Sequence, residues 1–160
     1  ERAGHCQRSP VLRSLPSMAL RYQAHDVAAR QLATWLSNRT EVVQILHPAV
    51  AGSPGHEHWK ALCVTDENKN HAAGLFSIMI DASYSSVQVD AFCDALKHFK
   101  LGFSWGGPVS LVVPYDVKAL RSGNWPNTLK PGHLVRFSIG LEAVEDLQAD
   151  LAQAMQHAFG

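Results

Sequence analysis

The alternation of apolar and polar positions divides the chain into a short series of elements. Over Met18–Leu36, Ala28, Leu32, Trp35 and Leu36 recur at three and four residues, which predicts a helix with one apolar face. Ser17 is placed to cap it and Ser37-Asn38 to stop it. The β-branched run Val42-Val43-Gln44-Ile45-Leu46 predicts a strand, ended by His47-Pro48. A loop at Gly52-Ser53-Pro54-Gly55 leads to a short helix over 57–64 and a polar excursion over 66–71. Residues 75–80 are almost continuously apolar, as in a central strand covered on both faces. Val89, Phe92, Cys93 and Leu96 mark a helix over 86–99. A strand over 110–113 follows, then one or two helical turns over 115–121, a loop over 123–132 and a strand over 134–139 ended by Gly140. Val144, Leu147, Leu151 and Met155 line one face of a last helix over 142–159, whose first turns carry Glu142, Glu145 and Asp146 to suit its dipole. The main order, α-β-α-β-α-β-β-α, predicts an α+β fold: a small, mostly antiparallel sheet with helices packed on it.

Composition narrows the function classes. One domain is the expectation for 160 residues. Fourteen basic side chains balance fourteen acidic ones, which argues against broad electrostatic binding to nucleic acid or an anionic membrane. Charged residues are 18% of the chain, below the roughly 25% of typical soluble domains, so part of the surface is expected to lie under another domain or subunit. No apolar stretch is long enough for a membrane-spanning helix, and the first residues have no signal-peptide core. The chain does not begin with Met, so it is expected to be a piece of a longer protein. Cys6, Cys63 and Cys93 are three, widely spaced, and read as thiols in a reducing compartment.

Two places carry candidate chemistry. In Gly102-Phe103-Ser104-Trp105-Gly106-Gly107, paired glycines allow close approach of a ligand, and equally a tight turn into a strand. Ser104 and Trp105 add a hydroxyl and an indole at that turn. In Leu134-Val135-Arg136-Phe137-Ser138-Ile139, alternation sets Arg136 opposite Val135, Phe137 and Ile139. A guanidinium among apolar neighbours needs a carboxylate or water; an edge-strand arginine in solvent satisfies the same pattern. The nine histidines do not match a zinc spacing, since His56-Glu57-His58 is not H-E-x-x-H; they read as packed or solvated residues, with no metal site.

Taken together, Phe103-Ser104-Trp105-Gly106-Gly107 and the run from Leu134 through Arg136 to Glu142, with Val144-Glu145-Asp146-Leu147 and Asp150-Leu151, resemble the C-terminal part of the Cys/Met-metabolism pyridoxal-phosphate (PLP) enzymes. Leu12-Arg13-Ser14-Leu15-Pro16-Ser17-Met18-Ala19-Leu20-Arg21-Tyr22, His25 and Trp35-Leu36 are similar to the segment leading from that family's large domain into its small one, with Ser14 in place of Gly and Pro16 in place of Arg. Trp105 after the serine is similar to the cystathionine β-lyases; the γ-enzymes carry an aliphatic residue there. Phe103 and Pro108-Val109 depart from the β-lyase pattern.

The resemblance implies the C-terminal domain of a fold-type I PLP enzyme, with residues 1–16 as linker from an upstream cofactor-binding domain and 17–160 as the substrate-side domain. It implies a carbon–sulfur lyase acting by β-elimination on L-cystathionine or cysteine S-conjugates, in a cytoplasmic homotetramer that binds a small amino-acid substrate and neither nucleic acid nor membrane. A γ-synthase or γ-lyase, or a non-catalytic binding or assembly module lacking the cofactor domain, are the alternatives. Arg136 would grip the substrate α-carboxylate, Ser104 would place substrate and the catalytic lysine, and Trp105 would line the pocket. The Ser-x-Thr-Lys motif that holds PLP is absent, so these residues alone are expected to be inactive and to bind no cofactor.

Overall fold

The computed structural model describes residues 11–66 and 70–160. A 3-10 turn, Leu15–Ser17, runs into helix α1, Met18–Leu36. Strand β1, Val42–Leu46, is followed by α2, His56–Cys63, β2, Leu75–Asp81, and α3, Ser86–Ala95. A two-residue strand β3, Lys100–Leu101, precedes β4, Leu111–Tyr115. A single helical turn α4, Val117–Leu120, leads to β5, Gly132–Ser138, and the chain closes with α5, Val144–Phe159. The strands form one sheet in the order β1-β2-β5-β4-β3. Every pairing is antiparallel except β3 with β4. The expected α+β architecture is therefore the observed one.

Period-two alternation builds the core. Phe76, Ile78 and Ile80 of β2, Val112 of β4, and Val135 and Phe137 of β5 share one hydrophobic cluster with Leu32 and Leu36 of α1, Phe92 of α3, and Leu147 and Leu151 of α5. The Phe137 ring lies 5.5 Å from that of Phe76 and 5.4 Å from that of Phe99. Each such buried side chain contributes on the order of 2 kcal/mol. Trp35 and Val144, expected inward, are half-buried at the margin; the Arg39 guanidinium covers the Trp35 ring at 4.1 Å.

The elements end where tertiary contacts end them. The helix expected over 86–99 stops at Ala95, because Asp150 of α5 accepts the backbone N–H groups of Lys97 and His98 at 2.9 and 2.7 Å. Those donors are taken from the helix, and the freed chain becomes β3. At the other end Ser85 and Gln88 form a reciprocal capping box. Ser17 makes no cap bond to α1; its hydroxyl donates to the Ser14 carbonyl instead. The last helix starts at Val144, two residues later than expected. Strand β4 runs on through Pro114. The carbonyls of Ser110 and Val112 bond to the β3 side, so Pro114 faces that side too, beyond the end of β3, where no partner needs its missing donor. Strand β5 opens at Gly132, where φ is 150° and an added Cβ would lie 2.1 Å from the Ile80 carbonyl oxygen.

Most of the expected linker, including Cys6, lies outside the described residues, as do 67–69 of the polar excursion. Cys63 is exposed and free; Cys93 is buried, and burial with Asp90 and Asp94 nearby pushes its thiol up to about 12. Among the described residues no helix is long and apolar enough to cross a membrane, and no group of three or more His, Cys, Asp and Glu could hold a metal. Leu12, Met18 and Leu20 expose apolar surface at the start of the chain.

His47 ends β1 with its ring fully buried against Phe76. Its Nδ1 accepts the Ala49 N–H at 3.1 Å, which holds the ring neutral. Burial first, and Arg30 second, lower its pKa from 6.5 to about 4. The unfolded chain therefore takes up this proton at a higher pH than the folded one. The stabilisation is complete above pH 6.5 and is lost as pH falls toward 4, by on the order of 3 kcal/mol. Urea denaturation at pH 7 and pH 4.5 should show a flatter pH dependence for His47→Asn than for the wild type. Equal slopes would place the proton uptake elsewhere.

Candidate functional site

The central strand presents the site. Val135 and Phe137 are buried in the helix-covered face, so Arg136 projects from the opposite one, beside Ser77 of β2 and Val113 of β4. Its guanidinium carbon lies 5.7 Å from the centroid of Tyr115. The Tyr115 ring in turn meets Phe103 edge-on at 6.2 Å. Arg136 is half-buried, and its Nη2 is shut off from solvent with no hydrogen-bond partner in the protein. Among the described residues no carboxylate forms an ion pair with it. A buried donor left without an acceptor costs about 1–3 kcal/mol, and more when it is charged. The planar fork of a guanidinium answers a carboxylate with two parallel hydrogen bonds.

Ser104 and Trp105 lie in the segment that leaves β3 at Gly102 and returns to start β4. Phe103 and Trp105 are 72% and 66% exposed, large for aromatic side chains in a folded chain. Gly106 has a φ of 72°, a left-handed conformation that a residue without Cβ adopts freely. The turn comes near Arg136 through Phe103 and Tyr115; no hydrogen bond joins Arg136 to Ser104 or Trp105 among the described residues. Tyr115 is the member of this group that the sequence pattern did not single out. Its phase becomes readable only when β4 extends across Pro114, which sets Tyr115 on the same face as Val113 and Arg136.

The return of the segment is anchored to the stretch just after β5. Glu142 accepts the Ser110 N–H at 2.7 Å and the Ser110 hydroxyl at 2.8 Å, while Ser110 Oγ accepts the Gly140 N–H at 2.8 Å. The Leu141 N–H donates to the Pro108 carbonyl at 2.9 Å. His25 of α1 is buried nearby; burial and Arg21 lower its pKa, opposed by the Gly107 backbone and Glu142. A groove of about 680 Å3 opens where β4 ends and β5 begins and meets this site through Tyr115.

This arrangement fits a carboxylate-bearing ligand and does not by itself fit PLP. A phosphate cradle needs backbone drawn close around the anion. At Gly106 and Gly107 an added Cβ meets nothing within 4 Å, so the turn is open and not a cradle. The histidines serve packing or surface: His56 bonds the Pro48 carbonyl at 2.7 Å, His133 the Tyr84 carbonyl at 2.8 Å, and His58 is exposed.

Strand β5 is thus a central antiparallel strand that carries, on the face turned away from the core, a guanidinium with one unpartnered buried nitrogen. Residues 8–156 match the family described as Cys/Met metabolism PLP-dependent enzymes. The chain is 34% identical over 143 residues to cystathionine beta-lyase of Salmonella typhimurium, which covers 88% of this chain and 34% of that protein. It is equally identical, over 143 residues, to an L-alanine/L-glutamate racemase of Wolbachia pipientis, covering 89% of this chain and 34% of the racemase. Among solved structures it resembles metB from Corynebacterium glutamicum with a TM-score of 0.73 and 31% identity, covering 91% of this chain and 36% of that one. The chain belongs to the Cys/Met-metabolism PLP-dependent enzyme family. It spans about a third of the length of the curated relatives it matches.

The unpaired Nη2 also predicts a stability effect opposite to that of an ordinary half-buried residue. Arg136→Met keeps the aliphatic stem and removes the orphan donor. Thermal denaturation of this variant should give a Tm equal to or above that of the wild type, by up to about 1 kcal/mol of added stability. A clear loss of stability would mean that Arg136 has a structural partner.

Proposed function

We propose that this chain is the substrate-side domain of a PLP-dependent carbon–sulfur lyase that acts by β-elimination on L-cystathionine or cysteine S-conjugates. The observation that carries the reading is the buried, unpartnered Arg136 Nη2 beside the Ser104–Trp105 turn. A carboxylate of a bound amino acid supplies the missing acceptor. The similarity of the chain to cystathionine beta-lyases supports the choice of substrate.

In this reading Arg136 holds the α-carboxylate in its planar fork and so fixes the orientation of the Cα bonds. Tyr115 lies against the guanidinium and limits its swing. Ser104 offers a hydroxyl at the amino end of the substrate, and Trp105 closes the space beyond Cβ, where the sulfur side chain leaves. The indole is exposed here, so it can be covered by substrate and by the remainder of the enzyme. When bound, PLP supplies the electron sink for the charge left at Cα.

Residues 1–16 are the proposed linker to the cofactor-binding part and 17–160 the proposed substrate-side unit. The exposed apolar side chains Leu12, Met18 and Leu20 support coverage by that part or by other subunits of a homotetramer. A cytoplasmic location is proposed from the unpaired thiols Cys63 and Cys93.

Arg136→Ala in the PLP-loaded enzyme should lower kcat/KM roughly 30- to several-thousand-fold, the scale for truncating one partner of a buried charge pair, with PLP absorbance retained. Arg136→Lys should recover little, because a point charge does not reproduce the fork. Retained turnover in either variant would return Arg136 to an ordinary strand position.

Trp105→Leu should cost about 1–3 kcal/mol in kcat/KM for cystathionine, the range for hydrophobic pocket contacts. Pyruvate and thiol release from L-cystathionine is the expected activity. Racemisation of alanine or glutamate without elimination, or γ-replacement chemistry, would overturn the β-lyase assignment.

A further inference from the structure

The segment carrying Ser104 and Trp105 holds itself in place weakly. Among the described residues, none donates or accepts a hydrogen bond with Ser104, Trp105 or Gly106. Its first end is pinned to the sheet by the Gly102 N–H, which donates to the Val112 carbonyl at 3.3 Å. Its second end is fastened to the stretch just after β5, with which the fully buried Ser110 makes three bonds. Both Glu142 carboxylate oxygens are engaged there, one by the Ser110 N–H and one by its hydroxyl. The same hydroxyl accepts from Gly140. The backbones are so close that an added Cβ on Gly140 would lie 2.4 Å from both Glu142 Oε2 and the Pro108 carbonyl oxygen.

We infer that Glu142, acting through Ser110, is a positioning residue that locks the Ser104–Trp105 segment to the strand bearing Arg136. This rests on the substrate-side reading given above. Strand β5 places Arg136 by its own pleat. The hydroxyl and the indole have no such support, and their placement relative to the guanidinium is set where residues 108–110 meet residues 140–142. A carboxylate suits the task because it accepts from both donors of one residue at once. An amide at this position accepts through its oxygen alone and presents N–H groups to a serine that needs an acceptor.

The test pairs Glu142→Gln with Ser110→Ala, each made in the PLP-loaded enzyme and each followed by two readouts. The first is amide hydrogen exchange. Exchange at the Gly102 and Leu141 amides, which bond the Val112 and Pro108 carbonyls at the two ends of the segment, should rise about ten-fold or more, while the amides of β2 and β5 stay protected, since a local opening leaves the core strands closed. The second is kinetic. Loss of the lock should lower kcat/KM for cystathionine on the order of ten- to a hundred-fold, the scale of a small misplacement of a binding group. In the Trp105→Leu background the same substitutions should cost much less, because coupled positions are not additive. Unchanged exchange at Gly102 and Leu141 overturns the inference. So does raised exchange with unchanged kcat/KM, or full additivity with Trp105→Leu. If neither variant folds, the pair is a fold element and the positioning role falls. Should Arg136→Ala and Trp105→Leu themselves leave turnover intact, the substrate-side reading fails, and this inference fails with it.

Discussion

Strand β5 is flanked on both sides by antiparallel partners, and that placement constrains everything around it. A strand hydrogen-bonded along both edges cannot rotate, so its pleat fixes which side chains enter the core and which leave it. Val135 and Phe137 go inward, and Arg136 is forced to the other face, where no carboxylate among the described residues pairs with it. A register slip of a single residue would bury the guanidinium under α5 and expose Phe137. The large cost of that exchange makes the location of Arg136 as firm as that of the core itself. The unpaired Nη2 thus follows from the sheet and is not a local accident.

Much of this was legible in the chain. The periodic segments gave α1 and β1 with the observed limits, because their apolar positions pack within the core and nothing downstream alters them. Two of the departures from that reading share one cause, which is contact between residues distant in sequence. The end of α3 depends on Asp150, more than fifty residues away, and its carboxylate withdraws two backbone donors from any longer helix. The extension of β4 through Pro114 depends on β3 being only two residues long. Local propensity cannot encode either fact. In the candidate site, the phase of Arg136 was readable from alternation alone. Tyr115 and the Ser110–Glu142 contact were not, since each requires knowing which strands are neighbours.

The relatives of this chain include lyases, a γ-synthase and a racemase at similar identity. Those named reactions share an amino-acid substrate and differ in what happens to its side chain. In the proposed function the residues divide along the same line: Arg136 would address the carboxylate that all such substrates carry, whereas Phe103, Trp105 and Pro108-Val109 would lie where side chains differ. On that proposal the common chemistry falls on the rigid strand and its variation on the exposed segment between β3 and β4, so that reaction choice could change without disturbing the sheet.

Pro114 has an effect beyond the local hydrogen-bond pattern. Past Gly102 no strand among the described residues pairs with the outer edge of β4, and an unpaired strand edge is a template on which a foreign chain can add itself. An incoming strand would need the N–H of residue 114, because the residues facing outward along β4 are 110, 112 and 114. Proline offers no such donor, and its ring stands where the partner backbone would lie. At this margin the sheet is in this way closed to elongation, which guards the exposed stretch of β4 against edge-to-edge pairing.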